Sequence, residues 1–126
     1  MFIVAKQDVA KVLGPLEAEV MKVLWAEQEP RSVRAVLERL NKGRNPPLAY
    51  TTVMTVMARL ADKAILRRAM NGRGYVYEAA VPDAAAIAVR NLVRDFGDAA
   101  LAGFVDEANA DPKLRARLER LLRDRS

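Results

Sequence analysis

Two side chains are missing altogether from this chain, which has no cysteine and no histidine. Without thiols there are no disulfides, no thiolate nucleophile and no haem attachment, and without imidazoles the Ser-His and Cys-His catalytic pairs are excluded as well. Metal sites built on thiolate or imidazole go with them. No acidic cluster of suitable spacing, phosphate-cradling loop or nucleophile–base pair takes their place. The sequence therefore assigns no catalytic residue, no metal and no cofactor, and it does not read as an enzyme. Long apolar runs are lacking too. MFIVA at the start is interrupted by Lys6 and is too short for the core of a signal peptide. No stretch approaches the length of a membrane span, so a cytoplasmic protein without membrane insertion is expected. Internal repeats and low-complexity tracts are also absent.

What is present is a globular composition of 52% hydrophobic and 29% charged residues in 126 positions. That length suits one compact domain, or a small domain with an oligomerisation element. Charge is unevenly spread. Residues 1–82 hold 13 Lys/Arg against 8 Asp/Glu, whereas residues 83–126 hold 8 of each, so the net +5 belongs wholly to the first two-thirds. Between Asn41 and Tyr75, Lys42, Arg44, Arg59, Lys63, Arg67, Arg68 and Arg73 face only Asp62. A local basic patch beside a neutral remainder is the footprint of polyanion binding.

Residues 1–12 carry no strong period and are expected to form a loosely held extension. Gly14-Pro15 opens a helix: proline suits the first turn, and Glu17 and Glu19 suit the positive end of the helix dipole. Its stripe is Leu16, Val20, Val23 and Leu24, with Met21 on the flank and Trp25 as a core anchor near the end, before Pro30 stops it. Ser32 is the N-cap expected for a second helix, Val33 to Leu40, with Val33, Val36, Leu37 and Leu40 inward and Arg34 and Arg39 outward. Gly43 and the Pro46-Pro47 pair then impose a loop that carries Lys42 and Arg44.

Leu48 to Arg68 contains the third helix. Val53, Val56, Met57, Leu60 and Ala64 fall on one face, and Thr51, Thr52, Thr55, Arg59 and Asp62 on the other. Three β-branched threonines lower helix propensity. Either something beyond local stability selects them, such as close approach to base edges or phosphates, or the face is an incidental feature of an ordinary amphipathic helix. The period then shortens to two. Ile65 to Met70 and Tyr75 to Ala79 flank Asn71-Gly-Arg-Gly, which predicts a β-hairpin with Arg73 at its tip. Three helices followed by a basic hairpin is the order of a winged helix-turn-helix, whose third helix is the natural one to enter the major groove.

Pro82-Asp83 marks a boundary, dividing the chain into a DNA-binding domain at 1–81 and a helical domain at 82–126. Asp83 to Asn109 forms one alanine-rich helical pattern with Val89, Leu92, Val93, Phe96, Ala100 and Phe104 in its stripe. Asp111-Pro112 caps a last helix on which Leu114, Leu118, Leu121 and Leu122 recur. Such stripes bury against a second copy, in which case these are dimerisation helices, or they fold back on the first domain. The fold class expected is mainly α, a winged helix-turn-helix domain followed by two C-terminal dimerisation helices.

Leu13-Gly-Pro-Leu-Glu-Ala-Glu-Val-Met-Lys-Val-Leu-Trp25, Ser32-Val-Arg, Leu48-Ala-Tyr-Thr-Thr-Val-Met-Thr-Val-Met-Ala-Arg-Leu-Ala-Asp-Lys63, Leu66-Arg-Arg and Gly72-Arg-Gly-Tyr-Val-Tyr77 together resemble the penicillinase-repressor family of the BlaI/MecI type. The resemblance covers residues 12–80 strongly and 83–124 in pattern. It implies a homodimeric transcriptional repressor on a palindromic double-stranded DNA operator. Thr51, Thr52, Thr55 and Arg59 would lie on the recognition helix and Arg73 in the wing, with Arg44, Tyr50, Lys63, Arg67 and Arg68 completing the DNA-binding set. Dimerisation falls to Val89, Leu92, Val93, Phe96, Phe104, Leu114, Leu118 and Leu121. The resemblance also implies derepression through a membrane-anchored sensor metalloprotease, linked to antibiotic resistance. Gly103-Phe104 matches the family's scissile Asn-Phe pair and departs from it at the first residue. The copper-responsive CopY-like branch uses C-terminal cysteines, which this chain lacks. A different class of function, in which the winged fold meets an acidic protein partner and not DNA, fits the same basic face.

Overall fold

The structure is a computed structural model that describes residues 6–125. The described residues form two compact units, one ending at Arg90 and one beginning at Asn91.

The first unit starts with a short 3-10 helix, Lys6–Lys11, followed by α1 (Pro15–Ala26), β1 (Arg31–Ser32), α2 (Val33–Asn41), α3 (Tyr50–Asp62), β2 (Leu66–Asn71) and β3 (Gly74–Ala79). The opening segment is not a loose extension as far as it is described. Val9 is fully buried, Val12 and Leu13 pack on the core, and the amides of both donate to the Val9 carbonyl. From the sequence Val9, Val12 and Leu13 could begin a helix or pack as an arm, and here they pack on the core. Residues 1–5 lie outside the described part.

The cap anticipated at Ser32 forms, and Glu17, expected only to suit the helix dipole, also caps its helix. The Glu17 carboxylate accepts the Gly14 N–H at the start of α1, and Ser32 Oγ accepts the Ala35 N–H at the start of α2. The core is the convergence of the three helical stripes: Val20, Met21 and Leu24; Val36, Leu37 and Leu40; Val53, Met57 and Leu60. Tyr77 and Leu66 close it from the sheet. Trp25 is half-buried against this core, and its indole N–H donates to the Val81 carbonyl at 2.8 Å, which ties the end of α1 to the chain leaving the sheet.

The sheet is antiparallel with order β1-β3-β2. β1 has only two residues, pairing Arg31 with Tyr77 and Ser32 with Val76, too short to show any alternation in sequence. In the hairpin, Asn71 pairs with Gly74, so the loop is Gly72-Arg73 and Asn71 is the last residue of β2. Gly72 has φ +67° and Arg73 no positive φ, the type II′ arrangement that takes glycine first.

α3 ends at Asp62, earlier than the apolar pattern suggested. Ala64 is not on the buried face. It is exposed, with φ +62°, and serves as the left-handed residue of a Schellman stop. The Ile65 N–H returns to the Leu60 carbonyl at 2.9 Å and the Ala64 N–H to the Ala61 carbonyl at 3.0 Å. Leu60 and Ile65, both fully buried, make the accompanying apolar contact.

Beyond the sheet run α4 (Ala84–Phe96), α5 (Asp98–Ala110) and α6 (Pro112–Asp124). The region therefore holds three helices where two were expected. Gly97, with φ +57° and ψ −133°, interrupts the 83–109 pattern in a conformation that a side chain would resist. Phe96 and Ala100 keep a four-residue step across that break, so periodicity alone conceals it. Asp83 caps α4 through the Ala86 N–H, and Asp111 caps α6 through the Lys113 and Leu114 N–H groups.

Candidate nucleic-acid interface

α3 presents Thr51, Thr52, Thr55, Arg59 and Asp62 to solvent, with Met54 and Tyr50 beside them, while Val53, Met57 and Leu60 are buried and Val56 is half-buried. The division of faces expected from sequence is thus observed over α3. Met54, 40% exposed, is an apolar addition to the outer face that the threonine count passed over.

The start of this helix is aimed by Asn41. Its side-chain amide donates to the Leu48 carbonyl at 3.1 Å and its side-chain oxygen accepts the Leu48 N–H at 2.8 Å, closing the proline-containing loop onto the end of α2. Ala49 supplies no side-chain cap. The first-turn amides of α3 are consequently left for water or for an anion at the positive end of the helix.

The basic residues divide by what holds them. Arg44 is ion-paired with Glu19 and also donates to the Leu40 carbonyl at 3.2 Å; Lys63 lies 3.9 Å from Glu17; Arg67 pairs with Glu78 at 3.0 Å. These carboxylates come from α1 and β3, outside the 41–75 window whose charge looked almost unopposed. Arg59 and Arg73 have no ion pair among the described residues, and both are exposed. Arg68 and Arg34 are held differently. The Arg68 guanidinium lies 4.5 Å over the Tyr75 ring, and Arg34 of α2 lies 5.1 Å over the ring of Tyr50, the first residue of α3. Arg34 had been read only as an outward charge on its helix. Tyr77 is the main influence holding the Arg68 guanidinium above its ordinary pKa, although arginine is charged at any accessible pH.

The second unit carries its own surface. Val89 and, on the same helix beyond Arg90, Leu92, Val93 and Phe96 are exposed, as are Leu101, Phe104 and Val105 of α5 and Leu121 and Leu122 of α6. Leu114 and Leu118 are half-buried. Gly103-Phe104 lies in the middle of α5, with helical residues on both sides. Among the described residues no group of three or more acidic side chains could hold a metal ion, and no helix is long and apolar enough to cross a membrane.

Three helices on a small antiparallel sheet, the last helix presenting a hydroxyl-rich face and a hairpin projecting after it, define a winged-helix protein. The complex structure of hsRosR-S4 shares the fold, with a TM-score of 0.51 at 18% identity over 94% of each chain. The penicillinase repressor family matches residues 13–124, and the chain belongs to that family, one of transcriptional regulators and not of enzymes. Two curated relatives, each the transcriptional regulator BlaI of Mycobacterium tuberculosis (strains CDC 1551 / Oshkosh and H37Rv), are 48% identical to it over 65 residues. That match takes in 52% of this chain and 46% of each relative, so the chain spans about half the length of the curated relatives it matches.

Proposed function

We propose that this chain is a sequence-specific transcriptional repressor that binds a palindromic operator as a homodimer. The observation that carries this reading is the outer face of α3. Three threonines and Arg59 are exposed on a helix whose opposite face is fully anchored, and none of the four is engaged by an acidic side chain of the described residues. Laid in a major groove, short hydroxyl side chains reach base edges and thymine methyls, while Arg73 at the wing tip meets the backbone. Basic side chains supply most of the affinity and the threonine face supplies the selectivity.

Pairing of two chains through α4, α5 and α6 is supported by the run of exposed apolar side chains from Val89 to Leu122. Two recognition helices would then engage successive major grooves, as the symmetry of a dimer requires. Occupancy alone represses, without chemistry. Family membership supports relief of repression by a sensor protease acting in the helical region. Gly103-Phe104 is the position proposed for the cut.

A gel shift of the full chain on the promoter of its own gene tests the reading. Binding should weaken by about a thousandfold between roughly 50 and 200 mM salt, and should be stronger than to random duplex. Absence of binding to either duplex would leave an acidic protein partner as the better account of the basic face.

A further inference from the structure

Three of the basic residues near α3, Arg44, Lys63 and Arg67, are held by carboxylates, and a carboxylate takes both the charge and the hydrogen bonds of its partner. Two are held without being neutralised. Arg34 and Arg68 have no carboxylate within ion-pair distance among the described residues, yet each guanidinium is laid over a tyrosine ring, at 5.1 Å over Tyr50 and 4.5 Å over Tyr75. Both rings are partly open to solvent, at 39% and 44%. A ring face attracts a guanidinium through its quadrupole while leaving the N–H donors in the guanidinium plane: those of Arg34 stay available, and Arg68 keeps the donors beyond its hydrogen bond to Tyr77. The rings themselves are fixed. Tyr50 is the first residue of α3, and Tyr75 packs edge-on at 6.4 Å against the buried Tyr77. One stack stands where α2 meets α3 and the other on the hairpin.

We propose that Arg34 and Arg68 are phosphate-contacting residues, preset by Tyr50 and Tyr75, that grip the DNA backbone at two places around the recognition helix. The inference rests on the DNA-binding reading above and deepens it. A free arginine must give up rotamer freedom when it binds phosphate, and one already ordered on a ring gives up less. α2 is also the element expected to cross the backbone when the following helix occupies the groove. The stacks set how firmly the recognition helix is seated, not which bases it selects.

The test is a double-mutant cycle on the full chain, with fluorescence anisotropy on two labelled duplexes of about three helical turns: one from its own promoter and one of random sequence. Arg34→Ala should weaken binding to both by about tenfold per protomer, the effect of one lost charge-assisted contact in each. In the dimer, which loses two, the slope of log K against log salt should fall by about 1.8. Tyr50→Leu should weaken binding by a smaller factor, and the double variant should be no weaker than Arg34→Ala alone. Arg34→Lys should restore the salt slope and only part of the affinity. Arg68→Ala and Tyr75→Leu should repeat the pattern. Circular dichroism confirms that each variant is folded. An unchanged salt slope in Arg34→Ala, or strictly additive losses for Arg34 and Tyr50, would overturn the proposal while DNA binding itself stood. If wild type bound neither duplex, the DNA-binding reading and this inference would fall together.

Discussion

The two units bury their apolar residues to very different extents. In the first, eleven core side chains from three helices are sealed together, and the sheet adds Leu66 and Tyr77. In the second, Ala108 is the one buried hydrophobic, and α6 has no buried residue at all. Both units carry amphipathic helices, so the difference lies in how many stripes meet. Stripes that converge from several directions make an interior; stripes on short helices with few neighbours remain surface until something covers them. The first unit thus has an interior of its own, and the second leaves its stripes at the surface.

The comparison breaks most sharply at Leu60. Removing its side chain leaves a cavity in the sealed core, and Leu60→Ala should cost about 3 kcal/mol in urea unfolding, equally at low and high protein concentration. Phe96→Glu should do the reverse. It is 63% exposed, so the fold of the first unit should survive; sedimentation should show half the wild-type mass, and operator affinity should fall by about a hundredfold as the two half-sites become independent. An unchanged mass would count against the second unit as an association surface.

Within the first unit, the face that binds can be separated from the core that supports it. Thr52→Ala should leave unfolding unchanged and cost about 1 kcal/mol on the operator while sparing random duplex. Arg73→Ala should weaken both duplexes by a similar factor. Equal losses on the two duplexes for the threonine variant would remove its assigned role. The smallest effect is a gain. Ala64 bears the strain of a left-handed conformation, on the order of 1–2 kcal/mol. Glycine would relieve that strain and give back part of it as unfolded-state entropy. Ala64→Gly should raise stability by about 0.5–1 kcal/mol in thermal unfolding.

Much of this organisation was legible in the residues. The N-caps at Ser32 and Asp111, the inward stripes of the three helices and the hairpin around Gly72 all depend on interactions a few residues apart, which local sequence records. Features made by distant partners were not. Glu17 and Glu19 reach Lys63 and Arg44 only because α1 packs beside α3 and the loop before it, so a count confined to residues 41–75 overstated the free positive charge. Arg34 lies sixteen positions before the ring it covers, with no pattern to announce the pairing. Conversely, Gly97 was present in the sequence, but the regular spacing of Phe96 and Ala100 masked the helix break there.

Gly97 keeps α5 short. A continuous helix from Ala84 to Ala110 would hold Gly103-Phe104 six or more residues from either end, deep in a cooperative ladder. As a separate piece of 13 residues, α5 is near the length below which a helix is marginal in water without tertiary support. Its lifetime as a helix is then set by what its exposed Leu101, Phe104 and Val105 rest against. On the proposed dimer and the proposed cut, loss of the partner would uncover the backbone at that point, and destruction of the protein would follow its state of assembly.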